Sequence, residues 1–225
     1  MCATNERNEK VESKITGLFP LFLTVLLAYM GQMILNPILA PLSREIGLKE
    51  WHIGATISLA AIILSLTSTR WGRVSLRWGS RRILLIGMLA GILALGGFTM
   101  VVWLGFKGLL TGMALILGVV ITRGVLYGGA IAAVFPAAQT YVVTHTYSET
   151  QRVKGVGVLG AAQGFSSILG ALLGGSLAAI GGFMMPLLVM PLVMLLGVVV
   201  LLLTFKPKGG EENLSTGQKF PILIQ

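Results

Sequence analysis

Five long stretches of this chain carry no Asp, Glu, Lys or Arg: Ile15–Ser43, Trp51–Thr69, Ile83–Phe106, Gly124–Ser148 and Gly155–Phe205. A helix needs about 20 apolar residues to cross the roughly 30 Å hydrocarbon layer of a bilayer. The first three stretches each hold one such helix. The last holds two, turning at Gly181-Gly182, and the segment from Lys107 to Thr144 makes one more around Arg123. The pattern predicts an all-α polytopic membrane protein with six spans near 18–42, 51–71, 82–104, 108–135, 155–180 and 183–205, within a domain over 15–205. Residues 1–14 read as a cytoplasmic N-terminal lead. Residues 206–225 read as a cytoplasmic tail or the start of a central linker, because a new apolar run begins at Phe220.

Composition agrees with this reading: of 225 residues, 55% are hydrophobic and 11% charged, against about 25% charged in soluble domains. The first apolar stretch is too long for a cleaved signal peptide and reads as a retained helix. The net charge of +9 would suggest nucleic acid in a soluble protein, but its placement points to topology instead. With the N-terminus inside, the inner segments hold Arg7, Lys10, Lys14, Arg70, Arg73, Arg77, Arg81, Arg82, Arg152, Lys154, Lys206, Lys208 and Lys219. The outer connections hold only Arg44, Lys49 and Lys107. Lys and Arg concentrate in cytoplasmic loops, so both termini are expected in the cytoplasm and the protein in the inner or plasma membrane. Cys2 is the single cysteine, which excludes an intramolecular disulfide and thiolate metal motifs. His52 and His145 read as surface histidines, and no metal or cofactor is expected.

Three patterns bear on chemistry. Arg123, in "LGVVITRGVLYGG", is the only charge well inside a span. An arginine at the bilayer centre costs about 2.5–3.5 kcal/mol on insertion scales, so it is expected to face a bundle interior or a wet cavity. The chain has no Asp, and all eight Glu lie outside the spans or at their edges. Gln32 and Asn36, four apart and so on one helical face, are the candidate partners, since their carbonyl oxygens accept from a guanidinium; ordinary interhelical bonds fit them equally. In helix five, Gly160 with Gly164 and Gly170 with Gly174, followed by Gly175, form small-xxx-small pairs that allow close helix approach. Finally, "GRVSLRWGSRR" gathers basic residues and no acid, which marks an inner loop.

These residues resemble the N-terminal six-helix half of a major facilitator superfamily transporter, most similar to the drug/proton antiporter branch. Gly72, Arg77, Gly79, Arg81 and Arg82, with Arg73 among them, resemble the gating loop between helices two and three, glycine-x-x-x-aspartate-arginine-x-glycine-x-arginine-arginine. "ITRGVLYGGAIAAVFPAAQTYV" resembles a helix-four motif built around an intramembrane arginine, here Arg123. "YVVTHTYSETQRVKG" resembles the next loop, with Arg152 at its basic position, and "GALLGG" the helix-five antiporter motif, glycine-proline-x-x-glycine-glycine. Departures accompany the matches. Leu76 stands for the loop aspartate, Thr144 for an acid that relatives carry at the end of helix four, Ala171 for the antiporter proline, and Tyr127 for a glycine. The resemblance implies that the loop acid stabilises one arrangement of the carrier and that the proline sets a packing angle, so both functions lack their residue here.

The expected function is therefore efflux-type transport of small amphipathic organic molecules by alternating access, not catalysis. Helices one and four would line the cavity, with Gln32, Asn36 and Arg123 as polar contacts and Met30, Met33 and Tyr127 as adaptable apolar walls. Family members need twelve helices, so the chain is expected to be a half-length or truncated unit. Its partners would be the bilayer, a small organic substrate, and either a second six-helix half or a homodimer mate. Proton coupling would need an acid from another half. The alternative is a non-transporting subunit or decayed fragment that only assembles with a partner. A serine-protease reading of "GFSS" (Gly164–Ser167) fails because no histidine lies mid-membrane to serve as its base.

Overall fold

The computed structural model describes residues 19–146 and 148–204, apart from the His145 side chain. The proposed lead (1–14) and tail (206–225) lie outside the described residues. Six helices are long and apolar enough to cross a membrane: α1 (Phe19–Glu45), α2 (Glu50–Trp78), α3 (Ser80–Phe106), α4 (Gly112–Thr144), α5 (Glu149–Gly181) and α6 (Met184–Thr204). No strand occurs among the described residues. This is the architecture that lipid demands, since a spanning helix satisfies its own backbone bonds.

The helices run past the apolar stretches that define them. α2 continues through Gly72, Arg73 and Arg77 to Trp78, and α3 begins at Ser80 with Arg81 and Arg82 in its first turn. The expected loop over 72–82 is thus two helix ends meeting at a single residue. Charge ends a membrane span but not a helix, and nothing between Trp71 and Trp78 breaks the backbone bonding. The reversal falls on Gly79, whose φ of 86° lies where a side chain would crowd the backbone. Between α5 and α6 the expected turn at Gly181-Gly182 is present, with Gly182 at φ 68°.

α1 is bent. Its regular helix gives way to a short 3₁₀ turn, Asn36–Ile38, that includes Pro37, a residue with no N–H for the helical ladder. α4 lies centrally, packing on both α2 and α3. α3 also packs on α6, and α5 touches α4, α6 and the bend of α1. Small residues set these approaches. A Cβ at Gly128 would sit 3.1 Å from the Ala60 carbonyl of α2, and one at Gly87 would sit 2.9 Å from Ala133 of α4.

Polar tethers supplement this packing. The Trp71 indole donates to the Gly129 carbonyl at 3.1 Å, and Ser75 donates to the Thr140 hydroxyl at 2.9 Å, so the C-terminal half of α2 is tied to α4. In α6, Pro191 has no N–H for the carbonyl of Leu187, four residues earlier. Thr99 of α3 supplies the missing donor at 2.9 Å. α1 is mostly buried, whereas α2 and α5 are mostly exposed.

Candidate substrate cavity

The site is built on an irregularity in α4. From Val120 to Leu126 the helix widens to a π-helix, with the Tyr127 N–H reaching the Thr122 carbonyl five residues back. Widening displaces the i→i+4 ladder, and the Thr122 hydroxyl donates to the Gly118 carbonyl at 2.7 Å. Such segments occur often at functional sites because they re-aim side chains.

Here the widened turn carries Arg123, which is 5% exposed. Its guanidinium lies 4.7 Å from the centroid of the Tyr127 ring. Burial deep in a span, rather than reach toward an interface, is thus the fate of this cation. Its Nε finds no hydrogen-bond partner among the described residues. A cation over an aromatic face returns about 2 kcal/mol when desolvated, against the insertion cost of about 2.5–3.5 kcal/mol. The ring therefore offsets the charge only in part, leaving attraction for an acceptor or an anion.

Tyr127 is fully buried and its hydroxyl donates to Gln32 Oε1 of α1 at 3.4 Å. That exceeds the 2.5–3.0 Å of a strong hydroxyl bond, so the tie is loose. One turn before Gln32, buried Tyr29 lies near the side chain of Gln163 in α5. The two tyrosines and two glutamines run a polar file from Arg123 across α4, α1 and α5 inside an otherwise apolar bundle. The acids among the described residues, Glu45, Glu50 and Glu149, all lie at helix ends.

Asn36 does not join this file. The bend at Pro37 separates it from the face of Gln32; it is exposed and donates to Met33 Sδ at 3.1 Å. The one-face expectation for Gln32 and Asn36 is corrected accordingly, because it assumed an unbroken helix. Met30 and Met33 are half-buried. Tyr29 and Gln163 were missed in the sequence, although both carried a signal: Gln163 is the only amide side chain between Gly155 and Phe205, and Tyr29 stands three residues before Gln32.

The glycines of α5 divide into two groups. Gly170 and Gly174 seat the bend of α1: a Cβ at Gly170 would lie 2.5 Å from Met33 Cβ, and one at Gly174 would overlap the Ile34 carbonyl. Gly160, Gly164 and Gly175 meet nothing within 4 Å and are exposed, as is Ala171. The expected seam at Gly160 and Gly164 is therefore no seam within this bundle, since no helix of it lies there.

At the α2–α3 junction, Gly72 sits in α2, where a Cβ would lie 3.8 Å from Pro136 of α4. Arg73, Arg77 and Arg82 are exposed, Arg81 is half-buried, and Leu76 is 66% exposed. The ion pair found among the described residues is Arg44–Glu50, so no carboxylate answers these arginines there. Arg152 donates from Nε to the Thr146 carbonyl at 3.3 Å, binding the start of α5 to the end of α4. The His52 ring stacks on Trp51 at 3.9 Å, and no group of three or more His, Cys, Asp or Glu residues placed to hold a metal occurs among the described residues.

Comparison with known proteins assigns the bundle. Residues 21–224 match the family model of the Major Facilitator Superfamily. The tetracycline resistance protein, class B, of Escherichia coli is 31% identical over 156 residues, 67% of this chain and 34% of that protein. The puromycin resistance protein pur8 of Streptomyces alboniger is 30% identical over 166 residues, 72% of this chain and 29% of that protein. The chain thus spans about a third of the length of these curated relatives. With its six apolar helices, it is an integral multi-pass membrane protein that belongs to the Major Facilitator Superfamily of transporters.

Proposed function

We propose that this chain forms one six-helix half of an exporter of small amphipathic organic molecules, of the antibiotic class named for its relatives. The observation that carries the reading is the polar file of buried Arg123, Tyr127 and Tyr29 with half-buried Gln32 and Gln163, set among apolar walls. An incompletely compensated guanidinium beside a loosely held tyrosine and amide suits a site that exchanges its partners for a substrate's. Alternating access follows if a second half, or a second copy, covers the exposed faces of α2 and α5 and rocks against them. The basic α2–α3 junction and the excess of Lys and Arg on that side favour both termini in the cytoplasm of a plasma-membrane protein. The described spans hold no Asp or Glu away from helix ends, so any coupled proton would ride on the second half.

The test is uptake of tetracycline and puromycin into inside-out vesicles containing the chain, with Arg123→Ala beside it. Energised uptake that falls about tenfold or more in the variant, the effect of losing one charged contact, supports the proposal. The absence of uptake by the wild-type chain, alone and with any co-purifying partner, overturns it. The exposed Leu76 among unanswered arginines favours one second reading, a non-transporting subunit. That reading predicts a co-purifying partner whose own transport survives Arg123→Ala.

A further inference from the structure

At the end of the bundle that carries the α1–α2, α3–α4 and α5–α6 connections, an open cleft of about 420 Å³ is lined by Glu45, Trp103, Phe106, Lys107, Phe183 and Met184, with Gly181 and Gly182. A second cleft of about 510 Å³ shares Trp103 and Met184 with it and continues along α3 and α6 past Met100, Thr99, Gly96 and Leu188. The α3 positions 96, 99, 100, 103 and 107 recur at helical spacing and so form one stripe, and positions 184 and 188 of α6 face it. Together they make one groove on the outside of the bundle.

Its length and lining are informative. From Gly96 to Lys107 is eleven residues, about 16 Å at 1.5 Å per residue, and half of the roughly 30 Å hydrocarbon layer is about 15 Å. The groove is therefore one leaflet deep. Its floor is apolar in effect, since the single hydroxyl proton of Thr99 is shared between the Leu95 and Leu187 carbonyls. It is open at Gly96 because a Cβ there would meet nothing within 4 Å.

Its mouth holds one charge of each sign. Lys107 Nζ lies 5.7 Å over the Trp103 ring. Glu45 is exposed and has no ion-pair partner among the described residues, unlike Glu50, which Arg44 takes. Glu45 also ends α1, where the negative pole of the helix dipole disfavours a carboxylate and favours a cation beside it.

We propose that this groove binds a phospholipid with a zwitterionic, primary-amine headgroup: an acyl chain along Gly96–Trp103 and Met184–Leu188, the phosphate at Lys107 and the ammonium at Glu45. An anionic headgroup leaves Glu45 unanswered. A quaternary headgroup cannot donate a hydrogen bond to it. A compact organic substrate leaves most of the leaflet-deep trench empty.

The test is native mass spectrometry of the full chain in detergent with palmitoyl-oleoyl phosphatidylethanolamine, phosphatidylcholine and phosphatidylglycerol. It is joined by cross-linking with a phosphatidylethanolamine bearing an acyl-chain diazirine. We expect one retained phosphatidylethanolamine, bound about tenfold tighter than the other two, as one charge-assisted contact would give. Glu45→Gln should remove the preference over phosphatidylcholine, Lys107→Gln should weaken both, and Gly96→Phe should block retention. Cross-links should fall within 96–107 and 184–188. Equal binding of the three lipids, cross-links elsewhere, or displacement of the lipid by the cation tetraphenylphosphonium with labelling of the same peptides would each overturn the proposal. Should Gly96→Phe fail to fold, the wild-type cross-links decide alone.

Discussion

Arg123 and four arginines of the α2–α3 junction, Arg70, Arg73, Arg77 and Arg82, carry the same group into opposite surroundings; Arg81 between them is half-buried, its Nε also without a partner among the described residues. Arg123 is buried on a widened turn of α4, with one tyrosine ring as its chief company and a bare Nε. Arg70, Arg73, Arg77 and Arg82 are exposed at the junction of α2 and α3, also without an acid among the described residues. Neither region pairs its cations, but only one is expensive. Water screens the junction, so the missing carboxylate there is worth about 1 kcal/mol or less. Burial removes that screening, and the protein offsets it with a ring face, an irregular helix and a file of hydroxyls and amides. An unpaired cation in contact with solvent costs little, whereas one inside the bundle must be offset by the groups around it.

Four substitutions sharpen or break this contrast. The largest effect is expected for Arg123→Ala: transport should fall about tenfold or more, while thermal stability in detergent holds or rises, because the insertion cost of about 2.5–3.5 kcal/mol disappears with the charge. A large loss of stability would mean the arginine serves the fold, and the contrast would collapse. Next is Gly79→Val, which places a β-branched residue at φ 86°. A loss of about 1–2 kcal/mol or more is expected, measured by thermal unfolding, and it would show that the junction depends on backbone geometry more than on its charges.

Tyr127→Phe keeps the ring over Arg123 but deletes the hydroxyl that reaches Gln32 at 3.4 Å. Its stability should change by less than about 1 kcal/mol, with transport retained within a fewfold. A loss as deep as that of Arg123→Ala would move the centre of the site to the hydroxyl. The smallest effect belongs to Leu76→Asp, which sets an acid among the exposed arginines. A gain of about 0.5 kcal/mol that vanishes in high salt is expected. A gain that persists in salt would reveal a buried network at the junction.

Much of this was legible in the chain. Hydropathy marked the six long apolar helices found among the described residues, because the bilayer accepts only long apolar runs with internal backbone bonding, and the lack of any carboxylate near Arg123 in sequence already implied a burdened cation. The positive φ at the α5–α6 turn fell on a glycine pair that the apolar pattern had marked. Helix ends were less legible. Arg73 and Arg77 lie beyond the apolar run yet remain helical and exposed, since solvated charge does not oppose a helix.

The site was readable in part. The Tyr127 ring lies on Arg123 and its hydroxyl reaches Gln32, a polar role the sequence did not assign it, while Asn36, beside Pro37, is exposed and donates to Met33 Sδ. Gly160–Gly164 and Gly170–Gly174 carry the same spacing in one helix, and nothing local distinguishes them. Only the passage of α1 over Gly170 and Gly174 makes that pair a seam and leaves the other bare.

The sequence by itself determined that the chain is a multi-pass membrane protein, the six apolar helices of the described residues and the presence of one burdened cation, because those follow from transfer free energies that act residue by residue. The tertiary structure decided which residues meet that cation. The π-helical turn, the bend of α1 and the approach of Tyr29 to Gln163 are outcomes of helices packing on one another, and packing depends on the shape of neighbours that lie far apart in the chain.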